Sequence, residues 1–246
     1  MQQQELKRLV TQELELGIRI IPDASHLTEG EEPGTARVLF LAQGEGESLA
    51  AAAEGLPAAL QREVRSLAAR GVFSGRLGQT AAVPTLGLMP GYQAVLLCGL
   101  GEAARSEGTD AWRDAGVYAV RAAHGQGLVR LAVPLPRAGR AVCRRRTQAL
   151  AEGLWLGAYR MPSYARGSGA PQPPALREAV LLAGTAEQDA PGGLEPALRA
   201  ARAKALAVYA ARDLTNLPGN YLVPDTAGRG GAGPRRPLRA RMHGAR

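Results

Sequence analysis

Aromatic residues are scarce in this chain: two Phe, two Trp and six Tyr among 246 residues. The core must therefore be packed mainly from Leu, Val and Ala, and the 46% of apolar residues is enough for a sizeable one. Cysteine is scarcer still. Cys98 and Cys143 stand alone, which excludes a disulfide framework and a cysteine metal knuckle. Each lies in an apolar stretch, as a buried thiol would. No run of roughly 18 apolar residues exists, so no membrane-spanning helix is expected. The opening M-Q-Q-Q-E-L-K-R lacks the apolar centre of a signal peptide. A cytoplasmic protein with no membrane contact is the expectation.

Acidic residues are missing from one place in particular. Residues 228–246 carry Arg229, Arg235, Arg236, Arg239, Arg241 and Arg246 and no acid. Without those six, 24 basic residues face 22 acidic ones, so the body holds only +2 of the net +8. The high isoelectric point thus describes the tail, not the fold. A basic tail can bind nucleic acid by neutralising phosphates. Its composition, almost wholly Gly, Ala, Pro and Arg, points elsewhere. With 28 Arg to two Lys, the coding sequence reads as GC-rich, and the tail reads as out-of-frame sequence or a fragment end.

Between these limits, apolar runs alternate with helical periods. V-L-F-L at 38–41 reads as a buried strand. Leu56, Leu60, Val64 and Leu67 then share a helix face, with Pro57 at its start and Gly71 past its end. A weak strand over 83–88 is interrupted by Pro84 and Gly87, and a strong one covers 94–98. Trp112, Ala115, Gly116, Ala119, Val120 and Ala123 form the next helical stripe, with Thr109 or Asp110 as its N-cap. A strand over 128–133 follows, then a helix face of Cys143, Thr147, Leu150, Leu154 and Gly157. A strand over 179–182 precedes the last helix, striped by Leu194, Leu198, Ala201, Ala205 and Val208. Wholly apolar strands alternating with helices predict an α/β fold with a mostly parallel sheet covered on both faces. The Pro-, Gly- and Ser-rich stretch near 162–176 reads as a linker. This gives an N-terminal α/β domain at 1–165, a linker at 166–176, a connecting strand–helix segment at 177–227 and the basic tail at 228–246. The first of these is expected to fold alone.

Four stretches, in order, carry a family resemblance. A-R-D-L-T-N-L-P-G-N-Y-L-V-P at 211–224 resembles the R-D-L-x-N-x-P-x-N-x-x-x-P segment of the leucyl (cytosol) aminopeptidase family. V-L-L-C-G-L-G at 95–101 is similar to the family's strand ending in G-L-G. A-E-G-L-W-L-G-A-Y at 151–159 resembles its A-E-G-x-x-L-x-x-Y helix. F-S-G-R-L-G at 73–78 is similar to its F-x-G-K-x-G turn, with Arg76 in place of Lys. The likeness covers roughly 37–227. It implies a macro-domain-like N-terminal domain, followed by a long helix leading into a metallopeptidase domain. In intact relatives that domain would use two divalent metal ions, zinc or manganese, to release N-terminal residues from peptides. The last helix of this chain is then expected to pack partly against such a domain and to keep an exposed stripe here.

The residues that would do this chemistry are not in the sequence. The family motifs V-G-K-G and N-T-D-A-E-G-R do not occur, the only lysines are Lys7 and Lys204, and no acid follows Asp225. A two-metal site needs several converging carboxylates. No catalytic, cofactor-binding or metal-binding residue is assigned. Arg212, Asp213, Asn216, Pro218, Asn220 and Pro224 read as a helix end and rigid turn. Gly99, Gly101 and Ala104 match a dinucleotide fingerprint, but no acid follows the next strand, so a tight turn explains them better. His26, His124 and His243 are scattered, and His124 reads as a helix C-terminal residue suited to the dipole. Arg137, Arg140, Arg144, Arg145 and Arg146 read as a solvated helix face. The leading expectation is a noncatalytic N-terminal part of an aminopeptidase-like protein, active in oligomer assembly, access to an active site or regulation. Peptide would be a substrate only if a catalytic domain were supplied. The alternative is a nucleic-acid-binding module using those arginines and the tail.

Overall fold

The computed structural model describes residues 13–22, 34–44, 52–53, 55–136, 139–161, 176–183 and 191–217. His26, His243, Lys7, Arg137, most of the linker, the turn from Pro218 to Pro224 and the basic tail lie outside them. Six strands form one sheet: β1 (Gly17–Ile21), β2 (Thr35–Gln43), β3 (Thr80–Pro84), β4 (Ala94–Glu102), β5 (Arg130–Pro134) and β6 (Glu178–Leu182). Their order across the sheet is β1-β6-β5-β2-β4-β3. All pairs are parallel except β3 with β4, which is antiparallel.

Helices are α1 (Ala58–Ala69), the single turn α2 (Ala103–Ser106), α3 (Thr109–Gly125), α4 (Arg140–Ala158) and α5 (Pro191–Asn216). Alternation along β2 and β4 sends side chains to opposite faces. Val38, Phe40, Leu96 and Cys98 join the cluster under α3, α4 and α5. Leu39, Leu41, Val95 and Leu97 join Leu60 and Val64 of α1 on the other face. The architecture is α/β with a mostly parallel sheet and helices on both faces, as the alternation of periods implied. Among the described residues no helix is long and apolar enough to cross a membrane.

Four local expectations change. The weak strand occupies Thr80–Pro84 rather than 83–88, because Leu86 turns the chain with φ 51° and is 88% exposed. The N-cap of α3 is Gly108, so Thr109 and Asp110 fall inside the first turn. A first strand, β1, appears where no strand was expected and pairs along β6. The last helix does not keep an open stripe: Leu194, Leu198, Ala201 and Ala205 are buried in the main core, and the next buried aromatic or apolar position on the helix is Tyr209 rather than Val208. β6 pairs with β1 on one side and β5 on the other, so the sheet draws on residues from both sides of the Pro/Gly-rich stretch.

Candidate functional site

The four stretches singled out in the sequence meet in pairs. The first pair is built from glycine. The turn carrying Phe73, Gly75 and Gly78 crosses the end of β4 at Gly99 and Gly101. Gly101 donates its N–H to the Gly75 carbonyl at 2.9 Å, and Gly99 donates to Gln79 at 2.9 Å. A Cβ on Gly99 would stand 2.0 Å from the Arg76 carbonyl oxygen, and one on Gly75 2.7 Å from that of Ala42. Gly75 and Gly101 also sit at φ 76° and 82°, where a side chain is strained. The Gln79 side chain pins the turn, accepting from the Ser74 N–H at 2.8 Å and donating to Val72 at 2.9 Å. The G-x-G-x-x-A run is thus explained by backbone approach. The helix after it is one turn long, too short for the pyrophosphate geometry of a dinucleotide site.

The second pair joins α4 to α5, with α3 as third partner. Gly153 lets α3 and α4 touch, since a Cβ there would lie 1.9 Å from the Arg113 carbonyl oxygen, and Gly116 answers it from α3. Next to Gly153, the Glu152 side chain is only 6% exposed and accepts three contacts. Arg113 of α3 donates at 3.0 Å, Lys204 of α5 pairs at 2.8 Å and Gln148 of α4 donates at 2.9 Å. Burial would raise the Glu152 carboxyl, but the Lys204, Gln148 and Arg113 partners outweigh it and hold it below the usual carboxylate range.

Trp155, one turn on, binds both ends of the fold. Its indole N–H donates to the Leu16 carbonyl at 2.9 Å, at the entry to β1. Its own carbonyl accepts from the Tyr209 hydroxyl of α5. Tyr159 closes the set, donating to the fully buried Asp213 carboxylate at 2.8 Å. Arg212 lies over the Tyr159 ring, 5.2 Å from its centroid. Asp213 therefore has the structural role expected of it, and α5 ends at Asn216, before Pro218.

The remaining candidates scatter. Cys98 and Cys143 are buried thiols in different elements, and burial pushes the Cys98 thiol up to about 12. His124 does end α3, but burial and then Arg160 lower its pKa. A lowered pKa favours the neutral imidazole, which interacts less with the helix dipole than the cation would. Of the arginines of the expected basic face, Arg146 is spent on the Glu107 carbonyl at 2.8 Å, and α4 begins at Arg140. Arg144 and Arg145 are exposed.

Sequence reasoning missed Glu152 as a meeting point. The signal was a lone acid on the buried side of a helix otherwise lined by Thr147, Leu150, Ala151 and Leu154, since a buried charge demands a partner. Among the described residues no three His, Cys, Asp or Glu side chains converge to hold a metal. The two buried carboxylates, Glu152 and Asp213, lie in separate contacts. This donor set does not fit a two-metal centre.

The family model described as "Cytosol aminopeptidase family, N-terminal domain" matches residues 38–167. Among solved structures, a mutant of tomato leucine aminopeptidase is similar, with a TM-score of 0.62 at 20% identity. The match covers 89% of this chain and 42% of that one. At this identity the likeness is one of fold. No curated protein sequence matches.

Proposed function

From a chain that belongs to the cytosol aminopeptidase family, through its N-terminal domain, we propose a noncatalytic part whose task is to hold a long helix in a fixed direction. The observation that carries this reading is where the chemistry-bearing residues of its motifs go. Glu152, Tyr159 and Asp213 are all committed to contacts between α4 and its neighbours, and the glycines to backbone approach. None of them is left to polarise a substrate. In an intact relative, α5 would lead towards a metal-dependent peptidase domain that releases N-terminal residues from peptides. The domain would then serve assembly of a homo-oligomer, access to the active site or regulation. The chain spans 42% of the length of the tomato enzyme, so activity, substrates and partners of a whole protein remain part of this proposal. A cytoplasmic location goes with it.

The test is direct. Purified chain incubated with Leu-p-nitroanilide and added zinc or manganese is expected to give no turnover. Turnover that survives purification and is abolished by a chelator overturns the noncatalytic reading. For the nucleic-acid alternative, Arg146 is engaged by the Glu107 carbonyl, whereas Arg144 and Arg145 are exposed and the basic tail lies outside the described residues.

A further inference from the structure

Helix α5 is attached to the rest of the fold by an apolar seam, by the Lys204–Glu152 ion pair at its middle, and by the Tyr209 and Asp213 hydrogen bonds nearer its end. Its N-terminal half is apolar, with Leu194, Leu198, Ala201 and Ala205 buried in the core. Alanines make up half of that seam, so it offers less apolar area than a leucine stripe would. In the middle of the helix, Lys204 reaches across to Glu152, whose carboxylate is buried where α3, α4 and α5 meet. A carboxylate at 6% exposure is costly to desolvate unless its oxygens are filled. Here Lys204 and Gln148 take Oε1 and Arg113 takes Oε2. The two cations come from two different helices, so one buried charge fastens both.

We propose that Glu152 is a charge-dependent latch: α5 stays docked on α3 and α4 while Glu152 is ionised, and loosens when that charge is removed. The groups that face it are few. From α3 come Arg113 and, behind it, Asp110, which also accepts from Arg113. From α5 comes Lys204, and from α4 itself the uncharged Gln148. A neutral carboxyl keeps the shape of the site but takes away the charge that draws in Lys204. The sign follows from the lowered pKa. The folded state holds the proton less readily than the unfolded chain, so the stabilisation is present above the ordinary carboxylate range and is lost as pH falls through the folded pKa. The proposal rests on reading the α4–α5 junction as the working element of the domain, but its test involves no peptidase readout. Turnover by the chain would overturn that reading and leave the latch standing.

The experiment is hydrogen exchange on the full chain, with α5 amides referred to β4 amides in the same sample. At neutral pH, Glu152→Gln is expected to speed α5 exchange relative to β4 by about tenfold or more, the order expected for losing one charge-assisted contact. Lys204→Met, which leaves Arg113 on Glu152, should shift it in the same direction by less. In the wild type the ratio should rise as pH is lowered from about 6 to about 3. Glu152→Gln should flatten that rise, which separates Glu152 from Asp213 and the other acids. If Glu152→Gln does not fold, Lys204→Met decides. Unchanged α5 exchange in the variants, or the same pH response with and without Glu152, overturns the latch.

Discussion

The two ends of this molecule are fastened by opposite means. At the end of β4, the turn through Gly75 and Gly78 is held because side chains are absent: backbone meets backbone at Gly99 with no room for a Cβ. At the α3–α4–α5 junction, Glu152, Trp155, Tyr159 and Asp213 hold helices together because side chains are present. The first kind of contact is all or none, since a carbonyl cannot yield by a bond length without moving its strand. The second is graded, since each polar contact can be weakened alone. Both explain family motifs that, read as letters, could have been taken for chemistry.

Three substitutions or labels sharpen this contrast. The largest effect is expected from Gly99→Ala, where the new methyl would stand 2.0 Å from the Arg76 carbonyl. Overpacking against backbone should cost about 3 kcal/mol, measured as the fall in unfolding free energy in urea. A variant that unfolds at the wild-type midpoint would show that the turn is free to move and would erase the difference between the two regions. Tyr159→Phe should be milder, at about 1 kcal/mol, because it removes one hydrogen bond to the buried Asp213 carboxylate. A loss as large as that of Gly99→Ala would mean the junction is as intolerant as the turn.

The smallest effect comes from the two thiols, one in each region. Cys98 lies in β4 and Cys143 in α4, both buried. With its thiol pushed up to about 12 by burial, Cys98 should react with iodoacetamide only when β4 opens. Tyr159→Phe should speed alkylation of Cys143 by about fivefold and leave Cys98 unchanged, if the helices open separately from the sheet. Equal acceleration at both thiols would make the molecule a single cooperative unit.

The sequence was most legible where a pattern is local. The buried runs of β2, β4, β5 and β6 and the stripes of α1, α3 and α4 stand out because one face of each element sees a continuous core. β1 escaped because Gly17–Ile21 is short, alternates exposed and half-buried positions and takes its only described partner from β6. β3 was displaced because T-A-A offers no bulky side chain to mark it, while the following Leu86 looks like strand but is thrust into water by the turn. The seam of α5 was read correctly up to Ala205, but its cover was not. Nothing local says that α4 carries the matching surface, or that Tyr209 rather than Val208 turns inward to bond Trp155. The Glu152 meeting point was hidden for the same reason: Arg113 and Lys204 approach it from helices far apart in sequence.

The placement of β6 inside the sheet also has a consequence for how the chain is made. Gly17 pairs with Glu178, and Leu16 accepts the Trp155 indole. As the chain leaves the ribosome, β1 lacks its one described sheet partner until β6 has been synthesised. At about 5–20 residues per second, that wait is on the order of ten seconds or more. During it, β2, β4 and β5 can already assemble with α1 and α3, while β1 still waits for β6. The birth order of the described strands is therefore not their order of assembly: β1 is incorporated after strands that follow it in the sequence.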